Sequence, residues 1–240
     1  MKIFLDVGAH FGECALRALN PRFRFDLVVA YEPSSVSQKR LRRIKDSRLL
    51  IRPFGLGGKS EQKTLFGAGH LGASLYSDKK GLVRPDLMEK IEIRTAHKEL
   101  ADYLRDENEV WLKINCEGGE IAIIQDLYDH SILNKFDHIW IDWDARKIPS
   151  LKDSIEKSSS LLIDASARFV NAHDFESTGW IGVEKWIASS IDNEHKRSSA
   201  EQDDFRIHSL LKFPFSLMEF LKLRFPTLWR YLAHLYHQNR

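Results

Sequence analysis

Apolar and polar positions along the 240-residue chain fall into short blocks of two kinds. Continuous apolar, β-branched or aromatic runs at Lys2–Val7, Leu27–Tyr31, 49–51, Glu109–Ile114 and 138–143 read as buried strands. Between them lie segments of helical character. GECALRALN follows Gly12, SSVSQKRLRRIKDS follows Glu32-Pro33, and the run after Gly119 carries Ile121, Ile124, Leu127 and Tyr128 at helical spacing. Residues 61–66 and 91–95 alternate like strands, and Gly55, Gly57 and Gly58 read as turn residues. The glycine-rich segment that starts at Gly67, GAGHLGAS, is expected to be mobile. Strand followed by helix, repeated, predicts an α/β fold with a mainly parallel, doubly wound sheet and helices on both faces. Ligands of such sheets sit outside the carboxyl ends of the strands, where Gly8, Glu32, Gly55, Glu117 and Asp142 fall.

Composition narrows the class. With 43% hydrophobic and 29% charged residues the chain is an ordinary globular protein, neither disordered nor collagen-like. Cys14 and Cys116 are isolated, which excludes a zinc ribbon and points to buried thiols in a reducing, cytoplasmic compartment. The start has no signal-peptide pattern, and no run of about 20 apolar residues suggests a spanning helix. The 36 basic and 34 acidic residues nearly cancel, yet residues 206–240 hold six basic side chains and one acid. Three parts are expected: residues 1–191 as the α/β domain, 192–206 as a polar linker, and 207–240 as a basic, aromatic helical tail divided by Pro214 and Pro226. Residues 207–236 suit packing on this domain or on a second copy in a homodimer, with a membrane interface as the second reading.

Three motifs carry chemistry. DVGAHFG, residues 6–12, joins the first strand to a helix through two glycines that let a ligand approach the backbone. Its spacing is not the G-x-G-x-x-G of dinucleotide sites, and Asp6 suits a cationic ligand such as S-adenosylmethionine better than a pyrophosphate. Glu32, at the next strand end, is placed to accept both hydroxyl hydrogens of a ribose. LKINCEGGE, residues 112–120, buries Lys113 in an apolar strand and follows it with carboxylates around a glycine pair, an arrangement that requires partners for the charges.

Together these residues resemble the FkbM-like family of class I S-adenosylmethionine-dependent methyltransferases, which act largely on hydroxyls of sugars, glycolipids and polyketides. The likeness lies in DVGAHFG, VVAYEP, RPFGLGG, the later GASLY, LKINCEGGE and a strand ending IDWD, over roughly residues 2–145. It implies a Rossmann-like fold in which Asp6, Gly8 and Gly12 shape the methionine end of the cofactor, Glu32 holds the ribose, and Ala9, His10 and Asn115, the last close to the methyl, also line the cofactor site. Gly55 and Leu56 are implied near the adenine and Glu117 near the transferable methyl. Three positions depart from the family: His10 for Asn, Asn115 for Asp, and Asp142 for Glu. With the first strand read from residue 2, the family's N-terminal helical extension is not expected here.

The expected activity is O-methylation of a sugar, glycan or glycolipid hydroxyl. Glu117, Asp142 and Lys113 are the candidate catalytic residues, with Asp142 as base and Glu117 as a contact; His70 is a further candidate base. Glu117, Asp142 and Asp144 would also suit Mg²⁺, but the favoured chemistry uses no metal. His234 and His237 lack carboxylate or cysteine partners for zinc. The basic run Lys39, Arg40, Arg42, Arg43, Lys45 reads as a solvated helix face, and a nucleic-acid substrate is not expected. The alternative from another class is a non-catalytic relative that binds a membrane surface or a partner, motivated by Asn115 and the tail.

Overall fold

The computed structural model describes residues 1–175 and 179–200, with side chains through residue 192. One compact unit spans Met1–Asn193. Its centre is a six-stranded sheet in the order β3-β2-β1-β7-β8-β9. The strands are β1 (Lys2–Val7), β2 (Leu27–Tyr31), β3 (Leu49–Arg52), β7 (Glu109–Ile114), β8 (His138–Ile141) and β9 (Phe169–Asn171), and all neighbours pair in parallel. Chain order therefore reverses beside β1, and the crevice above β1 and β7 is the topological switch point at which ligands of such sheets bind. This is the Rossmann-like α/β architecture that the strand and helix pattern predicts.

The period-two alternation of each strand divides the core. Ile3, Leu5 and Val7 of β1, with Val110, Leu112 and Ile114 of β7, face one side. Against them pack α3 (Ala96–Ala101), α4 (Glu120–Asp129) and α5 (Ser154–Asp164) through Leu100, Ile123, Leu127 and Leu162. Phe4, Trp111 and Trp140 face the other side, covered by α1 (Glu13–Ala18) and by α6 (Gly179–Ala200). Trp186 of α6 packs between Trp111 and Trp140, with ring centroids 5.0 and 5.7 Å away. On α4 the buried positions are Glu120, Ile123, Ile124, Asp126 and Leu127, so the stripe is rotated from the expected one and leaves Ile121 and Tyr128 at its margin.

Several expectations are corrected. Gly55–Gly57 is a strand, β4, rather than a turn, because its glycines let the Ile93 side chain lie directly over the backbone; a Cβ on Gly55 would come 2.7 Å from Ile93 Cδ1. β4 pairs with β6 (Met88–Thr95), which also pairs antiparallel with β5 (Glu61–Phe66), so these segments form a separate three-stranded sheet. The basic stretch after Pro33 is helical only as α2 (Ser35–Leu41). Its amino end is held by Glu89 of β6, which accepts from Ser34 Oγ at 3.0 Å and Ser35 N at 2.9 Å. Helix α6 continues to Ala200, through the first part of the stretch read as a polar linker. The tail, 207–240, lies outside the described residues. No helix among the described residues is long and apolar enough to cross a membrane.

Candidate functional site

The first loop is built on an ion pair that the sheet register dictates. Asp6 and Lys113 stand opposite each other on β1 and β7 and share a face, so their side chains meet: Lys113 Nζ lies 2.8 Å from Asp6 Oδ1. The same ammonium donates to the carbonyls of Gly8 at 2.9 Å and Val7 at 3.2 Å, which uses its three donors. Burial works against the charged lysine, but the adjacent Asp6 outweighs it and holds the Lys113 pKa above its ordinary value. Lys113 thus braces the loop. All three of its donors are engaged within the protein.

Gly8 follows at φ +79°, where its hydrogen sits against β7. A Cβ would fall 1.9 Å from the Asn115 carbonyl oxygen, and this contact is backbone on both sides. Gly8→Ala is accordingly expected to lower Tm by several degrees and to abolish cofactor binding; thermal unfolding followed by circular dichroism and titration calorimetry would check both. Ala9 is buried, its amide N–H donating to the Tyr31 carbonyl at 3.1 Å. His10 adopts a left-handed φ of 51°, a conformation uncommon outside glycine. Its backbone N–H donates to Glu32 Oε2 at 2.7 Å, its Nδ1 is 3.2 Å from Glu13 Oε1, and its ring stacks on Phe11. Gly12 caps α1 at a point where Leu41 of α2 leaves no space for a side chain.

Glu32 ties this loop to the next. While Oε2 accepts from His10, Oε1 accepts from Ser34 N at 2.8 Å. Burial pushes the Glu32 pKa up to about 7, against the opposing pull of the Ser34 and His10 N–H groups. Gly55 packs toward Pro33, which brings β4 beside this turn. Leu56 borders a cavity of about 300 Å³ whose walls include Tyr76, Gly119 and Ala122.

The β7 and β8 tips bring Glu117, Asp142 and Asp144 together, and the sequence does not show what accompanies them. Lys79 Nζ is 2.7 Å from Glu117 Oε2, and Lys147 Nζ lies 3.9 Å from that oxygen and 2.5 Å from Asp144 Oδ1. Arg146 Nη2 stands 3.6 Å from Asp142 Oδ1. Three cations interleave with three carboxylates, an arrangement of ion pairs rather than the oxygen cage that Mg²⁺ prefers. Glu117 has a left-handed φ of 53°, and its pKa is raised by burial and then by the neighbouring Asp144, with Lys79 opposing. Asp142 is 6% exposed and raised for the same two reasons, burial first. Its Oδ1 has no hydrogen-bond partner among the described residues.

The glycine-rich segment expected to be mobile is tied over these tips. Ser74 Oγ donates to the Glu117 carbonyl at 2.6 Å, Lys79 donates to the Gly72 carbonyl, and the Lys80 amide N–H donates to Lys147 O at 2.8 Å. His70 lies within electrostatic reach of Asp86, and none of the described contacts joins it to Glu117 or Asp142. Glu120 was visible only as the last residue of a motif. It is fully buried and accepts from Gly118 N at 2.7 Å and Ala145 N at 2.6 Å, locking the β7 loop to the β8 loop.

These residues fit a nucleoside carrying an amino-acid end. Glu32 presents carboxylate lone pairs beyond the two already engaged, Gly8 lets the first loop pack directly on the Asn115 backbone, and the buried His10 Nε2 has no partner among the described residues. Asp6, at 0% exposure and paired with Lys113, contributes to such a ligand through the loop it shapes rather than by direct contact.

A parallel sheet with a glycine loop and an acidic second strand end at its switch point defines the Rossmann-like cofactor-binding class. Within it, the chain belongs to the methyltransferase FkbM domain family, whose sequence model matches residues 6–177. A crystal structure of an FkbM methyltransferase from Methylobacillus flagellatus KT is similar, with 19% identity and a TM-score of 0.43 over 70% of this chain and 38% of that one. The chain thus spans well under half the length of that relative. No curated protein matches it.

Proposed function

We propose that the chain is an S-adenosylmethionine-dependent O-methyltransferase whose acceptor is a hydroxyl of a sugar, glycan or glycolipid. The observation that carries this reading is the convergence, at adjacent carboxyl ends of one parallel sheet, of the Gly8 loop and Glu32 with the carboxylates Glu117 and Asp142. When bound, S-adenosylmethionine supplies an electrophilic methyl group on a sulfonium. Gly8, Ala9 and His10 shape the methionine end, Glu32 accepts from the ribose, and Pro33 and Leu56 border the adenine side.

Transfer to oxygen needs alignment and a group to take the hydroxyl proton. Glu117 and Asp142 differ in readiness for that proton. Both carboxylates have pKa values raised first by burial and then by Asp144, but Lys79 Nζ lies 2.7 Å from Glu117 Oε2 whereas Arg146 Nη2 stands 3.6 Å from Asp142 Oδ1, which leaves Asp142 the less tightly paired of the two. Asp142 is therefore the base, and Glu117 with Lys79 positions the acceptor. Asp142→Asn should lower kcat by about 10²–10⁴ while leaving S-adenosylhomocysteine affinity near wild type. The measurement is transfer of labelled methyl to a panel of glycans, paired with calorimetry on the same preparations. Undiminished turnover in the variant would remove Asp142 from the role, and a folded wild type that binds neither cofactor nor product would remove the whole reading.

A further inference from the structure

Away from the strand tips, α3 and the second half of α4 gather His97, Asp126 and His130. Asp126 lies in the last turn of α4, His130 caps that helix four residues on, and His97 enters from the first turn of α3. Asp126 Oδ1 lies 3.0 Å from His97 Nδ1 and 3.6 Å from His130 Nδ1, and the three potential ligand atoms lie within 4.8 Å of one another. Two ligand atoms about 2.0–2.1 Å from a zinc ion at a tetrahedral angle stand roughly 3.3 Å apart, a value these two separations bracket.

The carboxylate is held in place from behind. The His97 backbone N–H donates to Asp126 Oδ2 at 2.7 Å, and the His97 ring Nδ1 lies 3.0 Å from Oδ1 and 3.1 Å from Oδ2. Access is graded: the Asp126 side chain is 4% exposed, His97 20% and His130 46%. A solvent-borne ion would thus meet His130 first and the buried carboxylate last.

We propose that His97, Asp126 and His130 form a binding site for one zinc-type divalent cation, with water completing its coordination. Two imidazole nitrogens and one carboxylate oxygen suit a borderline ion, whereas Mg²⁺ and Ca²⁺ prefer oxygen throughout. Without the ion, the two rings stack with centroids 3.4 Å apart, and His130 Nδ1 lies 2.8 Å from the Asp126 carbonyl, to which it donates. Loading therefore needs a small rotation of the exposed His130 and, on both rings, transfer of the proton from Nδ1 to Nε2 through solvent, because His97 Nδ1 also donates to the Asp126 carboxylate. Such a tautomer shift releases no net proton. The ion ties α3, which directly follows β6 of the smaller sheet, to α4, whose other end carries Glu120.

The experiment uses the full chain, stripped with a chelator and titrated with Zn²⁺ by calorimetry against a competing chelator. Co²⁺ serves as a visible-absorption probe of nitrogen and oxygen ligation. The chain has ten histidines, so the readout is the equivalent lost in His97→Gln and His130→Gln relative to wild type. Wild type should take up one tight equivalent and gain about 5–10 °C in Tm at a hundredfold excess over Kd. Each variant should bind that equivalent at least about tenfold more weakly. His130 is half-exposed, so His130→Gln keeps the test valid even if His97→Gln folds poorly. Equal stoichiometry and affinity in wild type and His130→Gln would overturn the proposal. So would a wild type whose Tm ignores Zn²⁺ while either variant lowers the metal-free Tm, because the trio would then be a hydrogen-bonded clamp only.

Discussion

Lys113→Met should lower the thermal midpoint by about 6–20 °C. The substitution keeps the length and apolar stem of the side chain but leaves Asp6, at 0% exposure, without its cation. Breaking a buried pair from one side typically costs about 3–5 kcal/mol, and a chain of this size loses roughly 2–4 °C per kcal/mol. The carbonyls of Val7 and Gly8 lose a donor at the same time, so cofactor affinity should fall with stability. The companion variant Asp6→Asn/Lys113→Met separates the two effects. With neither charge present the uncompensated carboxylate disappears, and most of the lost stability should return while cofactor binding stays weak. Thermal unfolding of both variants, with S-adenosylhomocysteine calorimetry, decides the matter. A double variant no more stable than Lys113→Met would mean that the pair is not the source of the cost.

The same pair illustrates what the sequence makes legible. KIFLDVG and EVWLKIN, laid side by side as parallel strands, place Asp6 opposite Lys113, and the structure pairs them in that register. The central strands, the two glycine loops and Glu32 follow equally from period and position, because each element depends on contacts within a few residues or on one simple pairing. Of the smaller sheet, the alternation at 61–66 and 91–95 reveals two strands but neither their pairing nor the third strand. Its middle strand pairs one way with β5 and the other way with β4, and β4 is mostly glycine, a residue that ordinarily marks turns. Lys79 is one of two adjacent lysines in a polar loop, and nothing local distinguishes it from a solvated cation; only the folding of that loop over β7 buries it against Glu117. Glu120 resembles an ordinary acid at a helix start, yet its carboxylate bridges two loops separated by 25 positions of chain. Side chains whose partners come from tertiary closure are the ones that pattern alone does not reveal.

Glu32→Ala carries the second large effect, a loss of about 10²-fold in affinity for S-adenosylhomocysteine. Charge-assisted hydrogen bonds to a ribose contribute about 1.5–3 kcal/mol, and the variant also releases the His10 and Ser34 N–H groups that hold both sides of the pocket. Acidity gives the same residue a second signature. Its pKa in the folded chain is about 7, raised from 4.5 by burial, so between those values the folded protein binds more protons than the unfolded one. Stability contributed by this group therefore falls as pH rises from about 4.5 to 7. Affinity runs the other way. Protonation removes an acceptor site from the carboxylate, so binding should weaken by up to about tenfold per unit as pH falls below 7 and should level off above it. Glu32→Gln, which cannot titrate, should show a flat profile at reduced affinity. Calorimetry across this range in buffers of matched ionic strength measures both slopes. A wild-type profile as flat as that of Glu32→Gln, or a Glu32→Ala variant with unchanged affinity, would assign the ribose to some other group.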